Sequence, residues 1–176
     1  MDNKSRLQLS LRKNTGKKLL PEMIKEVSEA LSQDASQIRL VDLETTDETW
    51  SAFTSSWKEH KMKDGIEFVK TWGMEDSQKA KSYVKQIQAQ VPDTVVLLFR
   101  PFFSEYCGAV ETSSHQILHH AFDLVKLDDN DVYASSPDGC SGIVISYSTQ
   151  KNVAGSYQVY EFSSWGTFFP GELHDN

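Results

Sequence analysis

Two stretches, Gly142-Ile-Val-Ile-Ser-Tyr-Ser148 and Tyr157-Gln-Val-Tyr-Glu-Phe-Ser163, decide how the second half of this chain is read. In the first, Ile143 and Ile145 alternate with Val144 and Ser146; in the second, Val159 alternates with Tyr160 and Glu161. A period of two is the signature of a pleated strand, whose successive side chains point to opposite faces. Both stretches are also rich in the β-branched and aromatic residues that suit such a surface.

Working back from them, more strands emerge. Asp131 to Ser135 reads as one, entered from the polar turn Asp128-Asp129-Asn130 and left through Ser136-Pro137-Asp138-Gly139, where Gly139 is free to take positive φ. Ala121 to Leu127 reads as a strand on the far side of the first turn, and Glu105 to Thr112 as another. Thr94 to Phe99 is a continuous apolar run, the pattern of a central strand, broken by Arg100-Pro101. Together these segments predict a β-meander.

The first half follows the helical period instead. From Pro21, Met23, Ile24, Val27, Ala30 and Leu31 fall on one face, together with Leu20 just before it. Ser36 to Thr45 reads as a strand with Ile38 and Leu40 inward. Thr46 or Asp47 is the expected cap of a helix carrying Trp50, Phe53 and Trp57, followed by a short helix over 65–72. A further helix runs from about Glu75 to Gln90, burying Ala80, Tyr83, Val84, Ile87 and Val91 before Pro92 ends it. The aromatic stripe Trp50, Phe53, Trp57, Phe68 and Trp72 reads as core. Residues 1–18 read as a short edge strand, with Leu7, Leu9 and Leu11 alternating, or as a flexible basic tail; residues 167–176 read as a loose extension. The expected fold is thus a single α+β domain over 1–176, with N-terminal helices packed on a mainly antiparallel C-terminal sheet.

Charge is unevenly shared. Residues 1–91 carry 15 Lys+Arg and 14 Asp+Glu, a net of +1; residues 92–176 carry 3 and 11, a net of −8. An acidic half repels phosphate backbones and steers a basic protein towards it. Nucleic acid is therefore not the expected partner. No run of about 18 apolar residues occurs, and the N-terminal stretch lacks a continuous apolar segment, which points to a cytoplasmic protein with Cys107 and Cys140 as free thiols.

Chemistry-bearing motifs are sparse. His115, His119 and Asp123 would share one face if the segment were a continuous helix, a spacing able to present metal ligands, but Gln116 stands where the His-Glu-x-x-His motif needs its carboxylate. A Cys–His pair from Cys107 or Cys140 would need an activated thiolate, which acidic surroundings disfavour. Counting twelve residues from Asp128 puts Tyr133 at the EF-hand glycine position and Gly139 at its glutamate position, so that calcium loop does not fit. Neither phosphate-binding glycine motif nor a Gly-x-Ser-x-Gly elbow occurs. No cofactor and no metal site are expected.

The sequence therefore leads to a non-catalytic binding domain whose acidic second half engages a basic protein, in the manner of an immunity protein or antitoxin neutralising a toxin. The expected contact residues are Asp123, Asp128, Asp129, Asp131, Asp138, Tyr160, Glu161 and Trp165. Two alternatives stand beside it: a cryptic enzyme built on His115, His119 and Cys107, and a regulatory or structural subunit that uses an apolar patch.

Overall fold

A computed structural model describes residues 3–62, 69–73, 76–127, 131–152 and 155–169. The chain opens with α1 (Asn3–Leu31), β1 (Arg39–Leu40), α2 (Leu43–Met62), β2 (Val69–Gly73) and α3 (Ser77–Gln90). It continues through β3 (Val95–Phe99), α4 (Pro101–Cys107), β4 (Val110–Ser113), α5 (Ser114–His119) and α6 (Ala121–Leu124). It closes with β5 (Asp131–Ser135), β6 (Gly142–Asn152) and β7 (Gly155–Trp165). The strands form one seven-stranded sheet, in the order β1-β4-β3-β5-β6-β7-β2, with every pairing antiparallel. This is the expected α+β architecture. The meander β3-β5-β6-β7 is its centre, and two strands from the first half close its edges.

Strand alternation divides the core into two layers. Val96, Leu98, Val132, Ala134, Ile143, Ile145 and Phe162 point to one face, where they meet Met23 and Val27 of α1, Tyr83 and Ile87 of α3, and Ile117 and Leu124 of α5 and α6. Leu97, Phe99, Val144 and Trp165 point to the other face, where α2 lays down Trp50, Phe53 and Trp57. Six aromatic rings meet there. Phe53 lies 5.4 Å from Trp50, 6.0 Å from Phe99 and 5.2 Å from Trp165, centroid to centroid. Gly142 makes this approach possible: a Cβ there would stand 2.4 Å from the Trp165 ring and 2.7 Å from that of Phe53.

Several local expectations are corrected. Residues 3–18 are neither strand nor tail but the first turns of α1, which runs through Pro21 instead of starting at it. The decisive positions are Gly16, Leu19, Met23, Val27 and Ala30, spaced three or four apart, whereas Leu7 and Leu11 are exposed. That stripe docks α1 on α4 and the sheet, which outweighs the hydrogen bond lost at Pro21. Glu44 and Thr45 donate backbone N–H groups to Asp42 Oδ1, so α2 starts at Leu43, earlier than Thr46 or Asp47. Thr46 instead accepts from the Ala109 N–H through its buried hydroxyl. The strand expected over Ser36–Thr45 shrinks to Arg39–Leu40.

Residues 69–73 are strand rather than helix, and this splits the aromatic stripe: Trp72 packs on Tyr83, on the sheet face opposite α2. Phe68 lies outside the described residues. Pro101–Cys107 is helical, leaving only Val110–Ser113 to pair back with β3. Ala121–Leu127 is α6 and a turn, because Ala121, Leu124 and Val125 are buried at helical spacing. At the other end Phe168 is fully buried in the main core, so the chain is docked as far as Phe169; residues 170–176 are not described. No helix among the described residues is long and apolar enough to cross a membrane.

Candidate protein-binding face

The second sheet face is only partly covered by α2. One row of directly opposed residues beyond the aromatic layer runs Asp131–Ser146–Glu161–Thr71 across β5, β6, β7 and β2. Directly opposed residues in an antiparallel sheet project to the same side. Asp131, Ser146 and Glu161 are half-exposed and Thr71 is exposed. With strands about 4.8 Å apart, Asp131 and Glu161 lie roughly 10 Å from each other across Ser146. The row is therefore a polar strip with a carboxylate at its first and third positions.

Neither carboxylate forms an ion pair among the described residues. Asp131 accepts a hydrogen bond from the Tyr133 hydroxyl at 2.8 Å, which fixes its position without neutralising it. Four acidic groups elsewhere are paired at short range, while others, Asp34, Asp42 and Asp138 among them, are held by hydrogen bonds alone among the described residues. Asp47 meets Arg12 at 2.7 Å, Glu26 meets the buried Arg100 at 2.8 Å, Asp76 meets Lys79 at 2.7 Å and Asp123 meets Lys126 at 3.0 Å.

The remaining expected contact residues do not join this row. Asp123 lies on α6, in the helical layer of the opposite face. Asp138 sits in the β5–β6 turn, at the far end of β5 from Asp131; it accepts from Ser136 Oγ and the Cys140 N–H, and these bonds hold its carboxyl below the ordinary range. Tyr160 points to the first face, 5.0 Å from Tyr147 and 5.1 Å from Phe122. Trp165 is 2% exposed and its indole N–H donates to Ser56 Oγ, so it belongs to the core and not to an accessible anchor. Asp128 and Asp129 lie outside the described residues. Ser146 and Thr71, which complete the row, carried no sequence signal that marks them as contact residues; only the register brings them beside the carboxylates.

No known protein family matches this chain, and neither a curated protein nor a solved structure matches it.

The histidine segment is divided. His120, at φ −103° and ψ 14°, separates α5 from α6, so His115, His119 and Asp123 do not lie on one continuous helix. His115 donates to the Val91 carbonyl through Nε2 at 3.0 Å. Among the described residues no group of three or more His, Cys, Asp or Glu side chains is placed to hold a metal. Both cysteines are free. Cys107 faces the Gly16 carbonyl at 3.5 Å, and burial pushes its thiol up, the opposite of what a nucleophile needs.

Proposed function

We propose that this chain is a protein-binding domain that captures a basic partner on the polar strip of its sheet that carries Asp131 and Glu161. The observation that carries the reading is the pairing register, which sets in one partly exposed row two carboxylates that form no ion pair among the described residues. Two carboxylates about 10 Å apart on one sheet face give that face a negative potential. A lysine or arginine brought to either carboxylate gains a charge-assisted hydrogen bond, and a partner with two cations can engage both. The sequence adds to the field, since Asp128 and Asp129 precede Asp131 within three residues and the second half of the chain is net −8. Such a field accelerates encounter with a basic protein and makes binding salt-dependent.

A cytoplasmic immunity protein that neutralises a basic toxin, such as a nuclease, is the biological setting this chemistry fits best. In that setting the strip occupies the toxin's cationic substrate-binding surface.

The test is affinity capture by wild type and by the Asp131→Lys/Glu161→Lys variant, each at about 0.1 M and 0.5 M salt. The Debye length falls from roughly 10 Å to about 4 Å over that range. A basic protein held by wild type at low salt, released at high salt and not held by the variant is the expected result. A partner that both forms hold equally at both salts contradicts the proposal.

A further inference from the structure

A groove runs between α3 and the α5–α6 segment, on the helical layer of the first sheet face, the face opposite the one that carries the acidic strip. Its volume is about 290 Å³. The α3 wall presents Lys81 and Lys85, one turn apart, with Ser82 between them. The opposite wall presents His119, Phe122 and Lys126. Among the described residues Asp123 is the one carboxylate in the lining, facing three ammonium groups. On a chain of net charge −7, the described lining is locally basic.

The three lysines are not equally engaged. Lys126 is paired with Asp123 at 3.0 Å. Lys81 stands over the Phe122 ring at 5.8 Å from its centroid. Lys85 has no ion pair among the described residues. Like charges one turn apart on a helix repel, and this applies to Lys81 and Lys85. An anion seated in the groove removes that cost and bridges both walls. Phosphate suits it: several acceptor oxygens serve separate ammonium groups at once. The Phe122 face and Leu118 offer an apolar surface beside the cations, and a volume of this size lies at the small end of ligand sites.

We infer that the α3/α5–α6 groove binds a phosphate-bearing small molecule of mononucleotide size, with the phosphate on Lys81, Lys85 and Lys126 and the organic portion against Phe122. The site shares no residue with the acidic strip and does not depend on it.

The experiment titrates the full chain calorimetrically with inorganic phosphate, pyrophosphate and adenosine monophosphate at low salt. The nucleotide is expected to bind more tightly than inorganic phosphate. The Lys81→Gln/Lys85→Gln variant is expected to weaken it about tenfold, in line with two exposed charge contacts. The variant's circular dichroism and melting temperature are compared with wild type, and Lys81→Arg/Lys85→Arg is expected to retain binding. No saturation by any probe below about 10 mM overturns the inference. So does binding that the Gln variant leaves unchanged. Nucleotide binding no tighter than that of inorganic phosphate overturns the role given to Phe122.

Discussion

Phe53→Ala is the substitution that most severely tests the layer formed by α2. Phe53 is fully buried, and its ring touches those of Trp50, Trp57, Phe99, Tyr133 and Trp165, at centroid distances from 5.2 to 6.3 Å. Removing it deletes the middle of the ring cluster. The neighbours have little freedom to close the gap. Trp165 is tied to Ser56 through its indole N–H, and Thr49 donates to the Pro137 carbonyl, fixing α2 to the β5–β6 turn. A truncation of this kind in a core that cannot collapse costs about 3–5 kcal/mol. At roughly 2–4 °C per kcal/mol for a chain of this size, the melting temperature falls by about 6–20 °C. Equilibrium denaturation in guanidinium, with matched thermal scans, reads both quantities. Phe102→Ala is the control: Phe102 is 57% exposed, and its loss should change stability by less than about 0.5 kcal/mol. A Phe53→Ala protein within about 1 kcal/mol of wild type would refute the packing of α2 on the sheet.

Three other outcomes are expected. Gly16→Ala gains about 1 kcal/mol of helix propensity. It nevertheless destabilises by a net of about 1–3 kcal/mol, because the new Cβ would stand 2.1 Å from the Tyr106 carbonyl oxygen; a stabilised variant in urea denaturation would show that α4 does not rest on α1 there. The His120 pKa is lowered by burial first and by His119 second, with Asp123 opposing. Its folded value therefore lies below the unfolded one, so its contribution to stability is intact above about pH 6.5 and is lost as pH falls through the folded value. Between pH 8 and pH 5 wild type should lose more stability than His120→Asn, and equal losses would remove this role. Exposed Cys140 should react with a disulfide reagent before the half-buried Cys107, as the Cys107→Ser and Cys140→Ser variants would show by their labelling rates.

The class of fold was legible because period two and period 3.6 are local. Ile143, Ile145, Ala80, Val84 and Ile87 each announce their element within a few residues. What was not legible depends on distant partners. The first turns of α1 look like a strand until Gly16 and Arg12 meet Tyr106, Asp47 and Glu105 of α4 and α2, which only the tertiary fold provides. Ala121–Leu127 is a short apolar run whose helix and strand readings are equally consistent with periodicity.

The candidate site shows the same division. Asp131 and Glu161 stood out as charges, but their union in one row follows from the β5–β6 and β6–β7 registers. Tyr160 and Trp165 failed as accessible anchors on the same principle: a strand residue's face is fixed by its parity, and theirs places Tyr160 against Phe122 and Trp165 under α2. The groove lined by Lys81 and Lys85 needed α6 to be helical, where the sequence reads as a strand over Ala121–Leu127.

The proposed function makes one claim above the others, that a basic partner covers the row at Asp131 and Glu161. Carboxyl footprinting with a carbodiimide, read by mass spectrometry on the free chain and on the complex with its captured partner, tests it directly. Protection of Asp131 and Glu161, with Asp138 and Asp123 as reactive in the complex as in the free chain, is the predicted result. A complex in which Asp131 and Glu161 keep their full reactivity would contradict the account.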